Sequence, residues 1–143
     1  MDWEDLLGRR GHRVTASRRA VMTALESVDV PLAAAEVLEQ ARTRHPRLGL
    51  VTVYRTLDLF QELGLVRRVH REGGCHVYTT ASPGHHHAIV CRHCGRAAEF
   101  TGCQEIHALI QRAEDETGFQ IDGHMLQLSG LCHQCARAIE RTG

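Results

Sequence analysis

Two Cys-x-x-Cys pairs, Cys91 with Cys94 and Cys132 with Cys135, are the residues of this chain best suited to chemistry. Each pair is a tight turn that presents two thiolates to one ion. One pair early and one late in a segment is the spacing of a structural zinc site. We therefore expect the four thiolates to hold one tetrahedral zinc, with the intervening residues folded between the halves of the clasp. Two disulfides or four free thiols are the weaker readings, because a simple hydrophobic core has no reason to repeat the pair. Directly before the first pair stand His85, His86 and His87. Side chains alternate along a strand, so His85 and His87 share one face and His86 takes the other.

Composition narrows the classes available. The 143 residues allow one domain or two small ones. Hydrophobic content is 43%, enough for a core, but aromatics are only 4%, so that core must be aliphatic. Net charge is zero, which gives no bulk basicity for nucleic acid. There is no lysine, so every basic contact falls to arginine. Residues 1–82 carry twelve arginines against ten acids, and residues 83–143 five against seven. Seven of the eleven histidines lie in the second half, which favours metal there. No N-terminal run resembles a signal peptide, and no stretch approaches the ~18 apolar residues of a membrane helix. The expected compartment is cytoplasmic, where cysteines are read as metal ligands. Cys75 and Cys103 are left over and read as ordinary small residues.

The elements that must position these groups can be read in order. Trp3 to Arg10 is a short helix ended by Gly11. Thr15 caps a second helix, Ala16 to Glu26, with Val21, Met22 and Leu25 inward. Arg18 and Arg19 stand in its first two turns, where the helix dipole disfavours positive charge, so a partner is expected, and one or the other should meet DNA phosphate. Ala33 to Arg44 is a third helix, ended by His45-Pro46. Thr52 to Leu63 is a fourth, with Val53, Leu57, Phe60 and Leu63 buried. Leu65 to Arg71 and Cys75 to Thr80 form a hairpin around Glu72-Gly73-Gly74. Helices followed by a hairpin are the order of a winged helix-turn-helix, with the fourth helix as candidate for the major groove. Thr52, Tyr54, Arg55 and Thr56 would face DNA from it. After a hinge at residues 81–84, strands at His86–Val90 and Ala97–Thr101, a helix at Gln104–Thr117, a strand at Phe119–Leu131 and a helix at Gln134–Arg141 make a small α/β unit with an antiparallel sheet. The fold class is thus α+β, with residues 1–82 as the winged-helix unit and residues 83–143 as a small metal-binding α/β unit. An exposed sheet edge there would invite a second chain.

The stretches GHRVTASRRAVMTAL, GLVTVYRTLDLFQELGLVRRV, GHHHAIVCRHCGRAAEF and ETGFQIDGHMLQLSGLCHQC resemble the ferric uptake regulator family of bacterial metal-responsive repressors. The resemblance runs nearly end to end. It implies a homodimer that binds a palindromic double-stranded DNA operator when a corepressor metal is bound, with no membrane and no small organic substrate as partner. It also implies a regulatory site joining His85 and His87 to a helix ligand and to His124. In relatives that helix ligand is usually glutamate. Counting back from Gly118 and His124 gives His107; counting forward from Cys94 lands near Glu105 or Ile106. We take His107, because a helix keeps register while a loop absorbs insertions. Four imidazoles suit zinc, so a zinc-uptake type is favoured over an iron-, manganese- or peroxide-responsive one.

The resemblance implies a second regulatory site at the hinge, whose positions here are Leu32, Thr79, His86 and Ala88. Three of the four have lost ligand chemistry. His86 and Glu99 survive, and Cys75, His76 or His70 would have to substitute. A zinc enzyme using the four histidines is the competing class. Catalytic zinc normally keeps three protein ligands and an open position, and the chain lacks H-E-x-x-H and the deaminase signature.

Overall fold

The computed structural model describes residues 2–102 and 104–143, and Cys103 lies outside them. Helix α1, Trp3–Arg9, starts at Asp2, whose carboxylate accepts the Glu4 N–H, and acids fill its first turn. It ends before Gly11, whose positive φ only glycine adopts cheaply. Helix α2, Ala16–Glu26, is capped by the Thr15 hydroxyl as expected. Helix α3, Ala34–Ala41, is shorter than the sequence suggests. Residues 42–44 tighten into turns, and the Arg42 side chain leaves to bond the Leu48 carbonyl at 2.9 Å. Helix α4 spans Leu50–Glu62, two residues earlier than expected, because Gly49 rather than Leu50 ends the connector.

Phe60, Leu7, Leu57, Val21, Val37 and Val53 fill the centre between these helices. Trp3 closes the end of this core edge-on against Phe60, with ring centroids 5.9 Å apart. Strands β1, Val66–His70, and β2, His76–Thr80, pair antiparallel as the expected hairpin. Leu32 adds a bridge to it, exchanging both backbone hydrogen bonds with Tyr78 at 2.7 and 2.8 Å. That bridge fixes the start of α3 to the hairpin.

Strands β3, His87–Cys91, β4, Ala97–Phe100, and β5, Gln127–Gly130, form a sheet in the order β4-β3-β5. The β3–β4 pair is antiparallel, as expected; β5 joins the other edge of β3 in parallel. Strand β5 is much shorter than the expected Phe119–Leu131, because β3 begins only at His87 and offers no ladder to residues 119–126. Helix α5, Gln104–Thr117, stops at Gly118, and α6, His133–Thr142, closes the chain. No described side chain of α5 is buried. Val69 and Val77 of the hairpin pack on Ala88 and Val90 of β3 in a second small core. The Gln127 side chain extends this junction, bonding both the N–H and the C=O of His70 at 2.8 Å. No described helix is long and apolar enough to cross a membrane.

Candidate metal centres and nucleic-acid face

Parallel pairing of β3 with β5 sorts the ligand chemistry into two ends. Residues that enter the two strands lie together, and so do residues that leave them. His85, His87 and His124 gather at the entrance, and Cys91, Cys94, Cys132 and Cys135 at the exit. Within each group the ligand atoms lie within 4.8 Å of one another. Among the described residues these are the groups of three or more that could share an ion.

The described cysteines are all free. The sulfurs of Cys94 and Cys132 are 3.8 Å apart, far beyond a disulfide bond. The Cys132 N–H donates to the Cys91 sulfur at 3.3 Å. Backbone N–H groups of Cys132 and Cys94 hold the Cys91 thiol down at about 5. The Cys135 N–H lowers Cys132 in the same way. Cys135 is pushed up to about 12, first by its hydrogen bond with Cys132 and then by burial. The clasp thus makes its first thiolates readily and resists the last, the electrostatics of a site built for a countercation.

The histidine group shows the same incompleteness. His85 and His124 face each other with Nε2 atoms 3.1 Å apart. His87 is only 3% exposed, and its Nε2 has no hydrogen-bond partner. Burial lowers its pKa first, and His85 and His124 add to the effect. A buried, neutral, unpartnered ring nitrogen beside two more imidazoles is costly without a ligand and is the donor a metal requires. The residues present therefore fit a divalent metal of zinc's preferences.

His107 does not join this group. It stands exposed on α5, as does Glu105, so the single chain gathers three of the four expected ligands. His86 and Glu99 form no site either. The His86 ring pairs with the Pro83 carbonyl at 2.8 Å, while Glu99 binds Arg67 and the Ser82 N–H. That arginine lies against the carboxylate expected to serve with His86.

On α4, Thr52, Tyr54 and Arg55 are exposed as expected. Thr56 is corrected: it is 4% exposed and donates its hydroxyl to the Thr52 carbonyl at 2.8 Å. It lies one residue before Leu57 and three after Val53, which draws it into the buried stripe. Val51, 63% exposed, shares a face with Tyr54 and Arg55 and was missed. Its signal was present, since the buried stripe excludes position 51. Arg18 donates to the Arg13 carbonyl. Arg19 makes two bonds to the Glu4 carboxylate, at 2.9 and 3.1 Å.

The model of the Ferric uptake regulator family matches residues 9–129. The zinc uptake regulation protein of Mycobacterium tuberculosis (strain H37Rv) is 38% identical over 125 residues, covering 87% of this chain and 95% of that protein. A solved zinc uptake regulator complexed with zinc and DNA superposes with a TM-score of 0.81 at 24% identity, covering 96% of this chain and 92% of the other. The Helicobacter pylori ferric uptake regulator, described as having three functional metal-binding sites, gives a TM-score of 0.64 at 20% identity and 95% coverage of both chains. The two structural likenesses speak for the fold.

Proposed function

The chain belongs to the Ferric uptake regulator family, and from that premise we propose that it is a zinc-dependent, DNA-binding transcriptional repressor of zinc-uptake genes. It works in the cytoplasm as a homodimer on a palindromic operator. The family is one of transcriptional regulators, so the zinc-enzyme alternative falls.

The observation that carries the zinc reading is the buried, unpartnered Nε2 of His87 against His85 and His124. Among the described residues no carboxylate enters this group, whereas manganese favours oxygen donors. The name of the M. tuberculosis relative supports the same choice. Zinc would supply a Lewis-acid centre that these imidazoles can share, with His107 as the fourth ligand once α5 closes over the site. The four cysteines hold a separate structural zinc.

The fold offers a route from this site to DNA. His87 is the first residue of β3, and Ala88 and Val90 of that strand pack on Val69 and Val77 of the hairpin. The hairpin holds Leu32, and α3 follows at Ala34. Ordering the entrance of β3 therefore orders the hairpin and, through Leu32, the helices that present α4. Residues 1–82 act as the winged-helix unit, with Thr52, Tyr54, Arg55 and Val51 toward the groove and Arg18 toward phosphate. Residues 83–143 act as the metal-binding and dimerisation unit. Its exposed Ile89 and Leu128, register partners on one sheet face, and Leu109 on α5 supply the apolar surface for the second copy.

The test is fluorescence anisotropy on a duplex selected from a random pool by zinc-loaded protein. Binding should require zinc and be lost with a chelator that leaves the four-cysteine zinc in place. Equal binding with and without that chelator, or a response to iron or manganese alone, would overturn the reading.

A further inference from the structure

The hinge positions that would carry a further metal offer little chemistry. Leu32 and Ala88 have no ligand atoms in their side chains, Thr79 offers only a neutral hydroxyl, and Leu32 is engaged with Tyr78 through its backbone. The one carboxylate there, Glu99 on β4, is already engaged. Both of its oxygens accept the Ser82 N–H at 3.2 Å, and one lies 3.2 Å from Nη2 of Arg67 in an ion pair. Nη1 of the same arginine donates to the His86 carbonyl.

Arg67 comes from β1 of the hairpin, Ser82 and His86 from the link, and Glu99 from the second sheet. The link, through His86, and the second sheet, through Glu99, thus both reach one guanidinium of the hairpin. The Arg67 and Glu99 side chains are 20% and 21% exposed, whereas Arg112–Glu116, an ordinary surface pair on α5, stands at 76% and 64%. A guanidinium is a permanent cation with a rigid fork of donors, so it can gather oxygen acceptors from several segments as a bound metal does. Its charge also opposes the entry of a metal ion beside Glu99.

We propose that Arg67 replaces a metal ion at the hinge: it is a positioning residue that sets the hairpin against the second sheet whatever the metal supply. The His85–His87–His124 centre is then the sole regulatory metal site, and a three-metal arrangement does not fit this chain. The part of this inference that concerns DNA rests on the repressor reading; the metal count does not.

The experiment has two readouts on the full-length protein. Native mass spectrometry during zinc titration should saturate at two ions per chain. A third ion bound by the wild type and lost in Glu99→Gln would overturn the proposal. At saturating zinc, Arg67→Met should weaken binding to the selected duplex about tenfold, within the usual range of coupling between sites. Zinc content and melting temperature should stay unchanged. Glu99→Gln should weaken binding similarly, and the double variant no further, because the two groups act as one unit. The exchange Arg67→Glu with Glu99→Arg should recover part of the loss, which a residue acting only through packing would not allow. Wild-type affinity in Arg67→Met, or additive losses in the double variant, would overturn the proposal. If Arg67→Met fails to fold, Glu99→Gln keeps the arginine in place and carries the same expectation. A wild-type chain with no zinc-dependent DNA binding would sink the repressor reading, while the metal count would still decide what occupies the hinge.

Discussion

Cys91 stands level with Gly130 across the parallel ladder between β3 and β5. In that register the second cysteine pair follows β5 at the same end at which the first closes β3. The histidines gather at the opposite end, roughly 13 Å away at four residues of about 3.3 Å each. A clasp on the exit therefore fixes the register on which the entrance depends. A slip of one residue would turn every β5 side chain to the other face.

Loss of one thiolate should accordingly cost folding as well as metal. Binding free energy at a structural zinc site is folding free energy. Cys94→Ser should lower the melting temperature by about 10 °C or more, corresponding to several kcal/mol, and should empty the clasp of zinc. Thermal denaturation followed by circular dichroism, with metal analysis of the same sample, checks this. A Cys94→Ser chain of native stability that dimerises normally would count against the structural role.

The helix ligand separates two registers. His107 and Glu105 lie about 100° to either side of Ile106 on α5, and both are exposed. His107→Ala should raise the zinc needed for operator binding about tenfold or more, while the clasp keeps its ion. Glu105→Ala should leave the requirement unchanged. The reverse pattern in zinc-buffered anisotropy titrations would move the ligand to Glu105. No change in either would mean that His85, His87 and His124 act without the helix.

How far the sequence reveals this arrangement depends on the range of the interaction. Thr15 as cap, the Gly11 stop and the hairpin around Gly73-Gly74 are local, and they stand where the spacing puts them. The two cysteine pairs are legible because tight turns carry their own spacing. The parallel partner of β3 is not legible, since Leu126 and Leu128 alternate equally well in either direction. Thr56 was misplaced because a polar side chain was read as an outward one, although its hydroxyl is satisfied by the Thr52 carbonyl four residues back. Arg67 was read only as part of a strand. Its role depends on Glu99 and His86, which no local pattern links to it.

Acid should destabilise the protein through His87 when the histidine site is empty and the clasp keeps its zinc. Burial, then His85 and His124, hold its pKa below the ordinary 6.5. The unfolded chain therefore takes up this proton at higher pH than the folded chain. Between the two values the unfolded state binds more protons, so stability rises with pH. In a chelator that leaves the clasp its zinc, the melting temperature should fall as pH drops below about 6.5, and this group should contribute no further change above it. His87→Leu should flatten that slope. An identical pH profile in the variant would show that the acid sensitivity lies elsewhere.

The exposed face of α4 gives the last prediction. Val51, Tyr54 and Arg55 stand at i, i+3 and i+4, so they share one surface of the helix. The helix core runs through Val53, Thr56, Leu57 and Phe60, and the fold makes no use of a valine that is two-thirds exposed. In a major groove, an apolar side chain of this size meets the methyl group of thymine, while arginine reads guanine through two hydrogen bonds. Arg55→Ala should therefore cost about 1–3 kcal/mol on the selected duplex and much less on random DNA. Arg18→Ala should weaken both alike and flatten the salt dependence by about one charge. For Val51, each thymine of the duplex can be replaced singly by deoxyuridine, which removes only the methyl. At one position in each half-site the replacement should weaken wild-type binding about fourfold, the worth of roughly one buried methyl group. In Val51→Ala the same replacement should have almost no effect, because its partner is gone. If every uracil substitution costs the two proteins equally, Val51 does not read thymine, and α4 meets the groove through Thr52, Tyr54 and Arg55 alone.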